Sequence, residues 1–579
     1  MAEKRLFQRN TSGLERKIGP VTAVLITIAF TVGWGWQRWI FVLSGAVPLP
    51  ENLWFAGIPP EVMAFILGGI IILIMTLGYS VLISAMPRSG GGYVAISRIV
   101  DPFAAFIGSS LQFFATALNF GMIAVVALEL SFFRIGPSLG ITSLPPFYDD
   151  VGFFAGGIFL VVLFTAIAAL GARITGYALQ MLVWVPAALG LYVLYLLGVA
   201  IVNPATLQNG ISVWAQGHGM AGVTAQTYVQ AALTQGLDAA SVGNYSTAVS
   251  VDVLGAYFAY VGYAATTFVA GEVKDPAKNF PKVLLLAPLI VVLMYVALAA
   301  FGAYASASVG HITLPNGDKW SFYEAYSYLS FGGGSLQQAG VPDFPAYVPV
   351  VASMVGSGIG LGSLNFLPFA FSVLWVVNDI PAFLLAGSRI LFAMSFDGVL
   401  PSSLSKLNGR FNSPLYAIIL VGIFAVLGVL SQTCIVCNGD SWYPGGTAGN
   451  ILNNFFWYGF YSVDFSEALF FSLFSLAVVL FPFRLKKVYN AARFKPGGKL
   501  GVVAIGLAGL IANLIIAWLI LTVPQEGFNL LSPTTENWYA LGFTLLLGVI
   551  GGLVYAYYRY GPSRKKVDYG VVFSEIPPE

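Results

Sequence analysis

"FTVGWGWQRW", residues 30–39, lies inside the first long apolar stretch of a 579-residue chain. Gly33 and Gly35 alternate with Trp34 and Trp36, and Arg38 follows. A continuous spanning helix avoids both loosened backbone and fixed charge, because hydrocarbon has no water to satisfy either. If the helix breaks here, free N–H groups open its second half and free C=O groups end its first. The N–H end favours a carboxylate, and the C=O end favours an ammonium or a cation. If it does not break, the glycines only let a neighbouring helix pack closely. Taken alone, the stretch supports both readings.

The rest of the chain is membrane-like. It is 58% hydrophobic and 9% charged, with mean hydropathy +0.81. A soluble domain carries about 25% charged residues. A bilayer is crossed by about 20 apolar residues, which gives about twelve expected spans. These are 20–46, 60–86, 101–133, 151–170, 175–202, 252–273, 283–307, 361–395, 414–433, 464–483, 499–523 and 537–558. The alternating pattern of a membrane barrel is absent, so the expected class is an all-α membrane protein. The first span is too long for a signal peptide, and no small-residue cleavage site follows it.

With the N-terminus placed inside, all but Arg38, Arg134 and Lys319 of the 27 Lys and Arg fall on inner loops or inner helix ends. That bias predicts two cytoplasmic termini and a cell (plasma) membrane setting. It also accounts for the basic loops, so no nucleic-acid partner is expected; the lipid bilayer is. Cys434 and Cys437 fall in an expected outer loop, 432–455. A bridge there would close a very small ring, and zinc would need help from His218 or His311, also on outer loops. No metal site or cofactor is expected. The longer outer loops, 203–251 and 308–350, read as lids whose Tyr323, Tyr326 and Tyr328 pack as short interfacial helices. Glu129, Arg134, Asp464 and Glu467 read as interfacial residues at span ends. No phosphate loop, catalytic triad or metal motif stands out, which argues against an enzyme and against an ATP-driven pump.

Depth brings three distant stretches together. Gly33 lies about 21 Å inward from Gly19 at 1.5 Å per helical residue. Gly262, in "YFAYVGYAATT" (257–267), lies about 18 Å from Lys274. Asp379 lies about 15 Å from Arg389. All three fall near the middle of a hydrocarbon core about 30 Å thick. A break at Gly262 would set Phe258, Tyr260 and Tyr263 around a small cavity; the same residues also suit an aromatic packing stripe. Asp379, beside Asn378, is the most costly intramembrane group and so a functional candidate. It can take a proton, accept a cation or pair with Arg38, or serve as a structural partner at the kink before Pro381.

Three inner loops carry a resemblance. "AMPRSGGGYVAISRIV" (85–100), "FVAGEVKDPAKNFPKV" (268–283) and "GSRILFAMSFDGVLPSSL" (387–404) together resemble the signature loops of the amino acid–polyamine–organocation permeases. The resemblance runs from about Lys17 to Lys487. It implies a five-plus-five inverted-repeat transporter with helices 1 and 6 broken. The implied divisions are a cytoplasmic segment 1–19, a transport core 20–483, helices 11 and 12 with their basic loop over 484–558, and a cytoplasmic tail 559–579. The implied activity is secondary transport of an amino acid or related amine by alternating access, as symporter or exchanger. A polyamine or other organic cation, and a non-transporting amino-acid sensor, are the alternatives.

The implied substrate-binding residues are Val32, Gly33, Trp34 and Gly35 in span 1, and Phe258, Ala259, Tyr260, Val261 and Gly262 in span 6. Phe258 matches a gating aromatic in some relatives. Arg38, Asn378 and Asp379 are coupling or gating candidates. The departures lie in the same places. The family often has Gly-Ser-Gly-Ile-Phe in span 1, where this chain has Gly-Trp-Gly-Trp-Gln. A span-5 Lys of some proton-coupled relatives is Ala187 here, and a Glu after the span-6 break is Ala264. Asp379 is then the leading candidate for a coupling proton or sodium ion.

Overall fold

This computed structural model describes residues 13–33, 35–132, 150–238, 244–433, 462–523, 530–561, 568–574 and 576. Trp34, Arg134, Cys434 and Cys437 lie outside the described residues. Among the described residues, eleven spans are long and apolar enough to cross a bilayer. The stretch expected at 414–433 is a shorter helix, Leu415–Ser431, of 17 residues.

The first apolar stretch is two helices, α1 (Pro20–Thr31) and α2 (Gly35–Ala46). Then come α3 (Pro60–Ala85) and α4 (Pro102–Leu130). Proline opens α1, α3 and α4, where a missing N–H costs nothing. Asp101 caps α4 by accepting from the N–H groups of Phe103 at 2.8 Å and Ala104 at 2.9 Å. The helices Asp150–Ala169 and Ala172–Val202 follow, with side chains facing outward along much of their length.

The sixth stretch begins as α5 (Tyr245–Tyr260) and continues, after a turn, as a 3-10 segment, Ala265–Glu272. Next are α6 (Pro276–Ala307), α7 (Phe366–Val377), α8 (Asp379–Phe396), α9 (Val463–Arg484) and α10 (Gly498–Thr522). Thr535–Tyr560 is the last of the long helices. Small residues set the tightest contacts: Gly121 of α4 meets the backbone of Ala425, and Gly428 meets that of Leu118. Such approaches let backbones pack where lipid supplies no hydrophobic drive.

The two long loops expected as lids contain helices Ala205–Gly217, Ala225–Thr234 and Phe322–Phe331. Tyr323 and Tyr326 are fully buried, and Tyr328 partly. The Tyr323 hydroxyl donates to the Ile40 carbonyl at 2.8 Å and so seats its helix on α2. Ser321 and Glu324 form a capping box at that helix's start.

The signature loops meet at the opposite, basic face. Arg389 Nε donates to Glu272 Oε1 at 2.8 Å and its Nη2 to Oε2 at 3.1 Å. Arg98 grips Asp397 through both terminal nitrogens, one of them at 2.9 Å. Both pairs are buried. Nearby, Ile18 pairs with Val273 as a parallel bridge, and the Gly90 N–H donates to the Phe268 carbonyl at 2.9 Å. The loops that carry the resemblance thus make a charge-matched floor.

Candidate functional site

Two contacts join the stretches aligned by depth: Gly33 lies against Asp379, and Gly262 against Phe30 of α1. α1 ends at Thr31, and its carbonyl accepts from the Tyr295 hydroxyl at 2.7 Å. Val32 and Gly33 follow, and α2 starts at Gly35. Gln37, one turn into α2, donates from Nε2 to the Gly33 carbonyl at 3.2 Å and to the Ser372 carbonyl of α7 at 3.3 Å. The Asp379 carboxylate lies directly against Gly33, so any Cβ there would collide with it. Gly33 is therefore required by close approach rather than by an unusual backbone angle.

Gly262 is required for both reasons. Its φ is +96°, and a Cβ would strike the Phe30 ring and carbonyl. α5 stops at Tyr260 because Val261 turns to φ −49°, ψ 137°. The two interruptions therefore touch through Phe30 and Gly262. Below them, the Thr266 hydroxyl donates to the Ala23 carbonyl at 2.8 Å and meets the Thr27 hydroxyl.

Asp379 starts α8 immediately after Asn378, the junction with α7. Pro381 has no N–H to return to residue 377, which keeps the junction loose. Oδ1 of Asp379, and both amide atoms of Asn378, find no hydrogen-bond partner among the described residues. Asp379 does not pair with Arg38 or any other described cation. Arg38 instead lies half-buried, with its guanidinium 6.0 Å from the Trp39 ring centre.

The remaining expected residues divide by direction. Val32, Ala259 and Tyr260 are buried, and the Tyr260 hydroxyl donates to the Phe65 carbonyl at 3.0 Å. Gly35, Phe258 and Val261 are half-open in an otherwise closed interior. Phe258 packs on Trp39 at 5.4 Å between ring centres and lies over Gly35. Trp36 is held between Tyr295 and Phe371, at 5.4 and 5.7 Å, so it packs the bundle. Ala264 is buried and Ala187 half-buried; neither carries charge.

Asp464 and Glu467 differ from the interfacial reading. They are 7% and 3% exposed, on the inward face of α9, and Glu467 faces the backbone N–H of Gly262. One turn on, Phe471 stacks with Tyr79 and packs at a tilt on Tyr263, each at 5.2 Å between ring centres. The sequence signal was available: 464, 467, 471 and 475 share one helical face. Ser475 on that face lies 3.3 Å from the Tyr79 hydroxyl. His218 and His311 have local partners, the Trp214 carbonyl at 2.8 Å and Glu51 at 3.3 Å.

The amino acid permease family model matches residues 18–550. The methylthioribose transporter of Bacillus subtilis (strain 168) is 25% identical over 433 residues, covering 72% of this chain and 75% of that protein. The branched-chain amino acid permease BcaP of the same organism is 24% identical over 425 residues, covering 72% and 76%. The crystal structure of MhsT in complex with L-phenylalanine superposes with TM-score 0.52 at 15% identity, covering 87% of this chain and 98% of that one. That likeness is one of fold. The chain belongs to the amino acid permease family, among the amino acid–polyamine–organocation permeases, and is a multi-pass membrane transporter rather than an enzyme.

Proposed function

We propose that this permease carries an amino acid across the membrane by alternating access, with the substrate held where the first and sixth stretches are interrupted. The observation that carries this is the contact of Gly33 with Asp379 and of Gly262 with Phe30 of α1, in the bundle interior. The N–H groups opening α2 suit an α-carboxylate, and the carbonyls ending α1 suit an α-ammonium. Gly35, Phe258 and Val261 are partly exposed beside the interruptions, which favours an apolar side chain. The similarity to a branched-chain amino acid permease supports that class. Trp34 belongs to the same proposed site.

The two interruptions fit discontinuous helices 1 and 6 of a five-plus-five inverted repeat over 20–483, with the last two long helices outside it. Asp379 is the proposed coupling group, taking a proton or a sodium ion, with Asn378 beside it. Phe258 and Arg38 are proposed gates on the α2 side. The basic face is proposed to be cytoplasmic, with both termini inside a cell membrane.

Counterflow in proteoliposomes tests the reading. Vesicles loaded with leucine or phenylalanine should take up the labelled amino acid with saturation. Absence of counterflow across all amino acids and common polyamines would overturn it.

A further inference from the structure

The amide of Gln37 ties the first interruption to a second helix. Gln37 lies in the first turn of α2 and is 0% exposed. It ends the Gly-Trp-Gly-Trp-Gln stretch, at the position where the family often has phenylalanine, which has no N–H or O–H to donate. Its Nε2 donates to the Gly33 carbonyl at 3.2 Å and to the Ser372 carbonyl at 3.3 Å. Both partners are carbonyl oxygens, which only accept, so the NH2 end must face them and the amide has one orientation. Its Oε1 is also buried and finds no hydrogen-bond partner among the described residues. Leaving an acceptor buried and unsatisfied costs free energy, which an apolar side chain of the same size would avoid. The donor end is what this position keeps.

Ser372 gives the tie its reach. It is buried on α7, about two turns before Asp379 at 3.6 residues per turn. The residues just before each partner pack alongside: Trp36 meets Phe371 edge-on at 5.7 Å between ring centres. α2 therefore meets α7 through an aromatic pair and, beside it, an amide that donates twice. Gly33 is fixed at two points, at its Cα by the Asp379 carboxylate and at its carbonyl by Gln37.

We propose that Gln37 is a positioning residue for transport. Its amide holds the Gly33 carbonyl and the start of α2 against α7, and so sets the cradle for the α-groups of the substrate. This rests on the substrate position proposed above. Gln37 acts there through the backbone of the break.

Two substitutions separate the donor from its bulk. Gln37→Met keeps length and volume and removes the N–H groups. Gln37→Glu keeps the shape and donates only when protonated. Leucine counterflow is measured in proteoliposomes with the same pH on both sides and divided by the wild-type rate at each pH. The division removes the contributions of Asp379 and Tyr295, titratable groups beside the break. Gln37→Met should fall about tenfold at every pH, the factor expected for one buried hydrogen bond. Gln37→Glu should show the same loss at about pH 9 and recover toward wild type at about pH 5, as its acid O–H replaces the amide. Undiminished counterflow by Gln37→Met, or a Gln37→Glu ratio that does not change with pH, would overturn the proposal. A second readout needs no transport. In full-length protein carrying isotope-labelled glutamine, the side-chain amide signal that Gln37→Met removes should resist exchange into heavy water. Exchange as fast as that of exposed glutamines would overturn the hold. Absence of wild-type counterflow with that signal protected would strike the proposed function and leave the hold standing.

Discussion

The two ends of the interior treat buried charge in opposite ways. At the basic face, Glu272–Arg389 and Arg98–Asp397 are closed by opposite charge and by directed hydrogen bonds. In the middle and toward the other face, Asp379, Glu61, Asp252, Asp464 and Glu467 have no described cation within reach. A closed pair fixes three signature loops in one geometry. The coupling proposed for Asp379 rests on this difference: its carboxylate has no such charged partner among the described residues.

The comparison breaks most sharply at the floor. Arg389→Ala strands the buried Glu272 carboxylate, and losing one member of a buried pair costs about 3–5 kcal/mol. A large drop in melting temperature in detergent is expected. Replacing both, Arg389→Met with Glu272→Gln, should recover most of it. Equal melting temperatures for wild type and Arg389→Ala would mean the floor is not held by the pair.

A smaller effect is expected where open charge meets tight backbone. Gly33→Ala drives a methyl into the Asp379 carboxylate, and overpacking costs about 1–3 kcal/mol. Transport should fall about tenfold or more at 1.4 kcal/mol per decade, in protein that stays folded. Gly35→Ala, which meets only the movable Phe258 and Trp39 side chains, should cost less. Uptake rates for the two variants rank the contacts; the reverse order would contradict the geometry.

The smallest effect concerns the outer cap. Burial pushes the Glu324 carboxyl up to about 8, Glu51 adds to the rise, and the Ser321 hydrogen bonds oppose it. The folded cap thus holds a proton that the unfolded segment, near 4.5, would release. Its stabilisation is complete below about 4.5 and is lost as pH rises through about 8. Hydrogen exchange in Phe322–Phe331, corrected for intrinsic rates, should show less protection at pH 8 than at pH 5.5. Glu324→Gln should flatten that difference.

Much of this was legible in the sequence, because membrane helices announce themselves by length and glycine interruptions by composition. The depth ruler put Gly33, Gly262 and Asp379 at one level, and the structure sets Gly33 against Asp379 and Gly262 against Phe30. What it could not give is azimuth. Trp36 departs from the family's usual span-1 pattern, and only the fold shows its ring packing on Tyr295 and Phe371. Asp464 and Glu467 looked interfacial because they stand near a span's end, yet their shared face turns inward. Glu61 and Asp252 stand near span beginnings, and no local pattern marks either as buried. The pairing of Glu272 with Arg389 likewise needs the fold to join two loops.

The claim that open carboxylates do the coupling is tested most directly at Asp379. Proteoliposomes containing wild-type protein or Asp379→Asn would be given a proton gradient or a sodium gradient, and accumulation compared with equal exchange. Asn keeps the shape and removes the charge. Gradient-driven accumulation should collapse while exchange persists, with stability within about 1 kcal/mol of wild type. Undiminished gradient-driven accumulation by Asp379→Asn would contradict it.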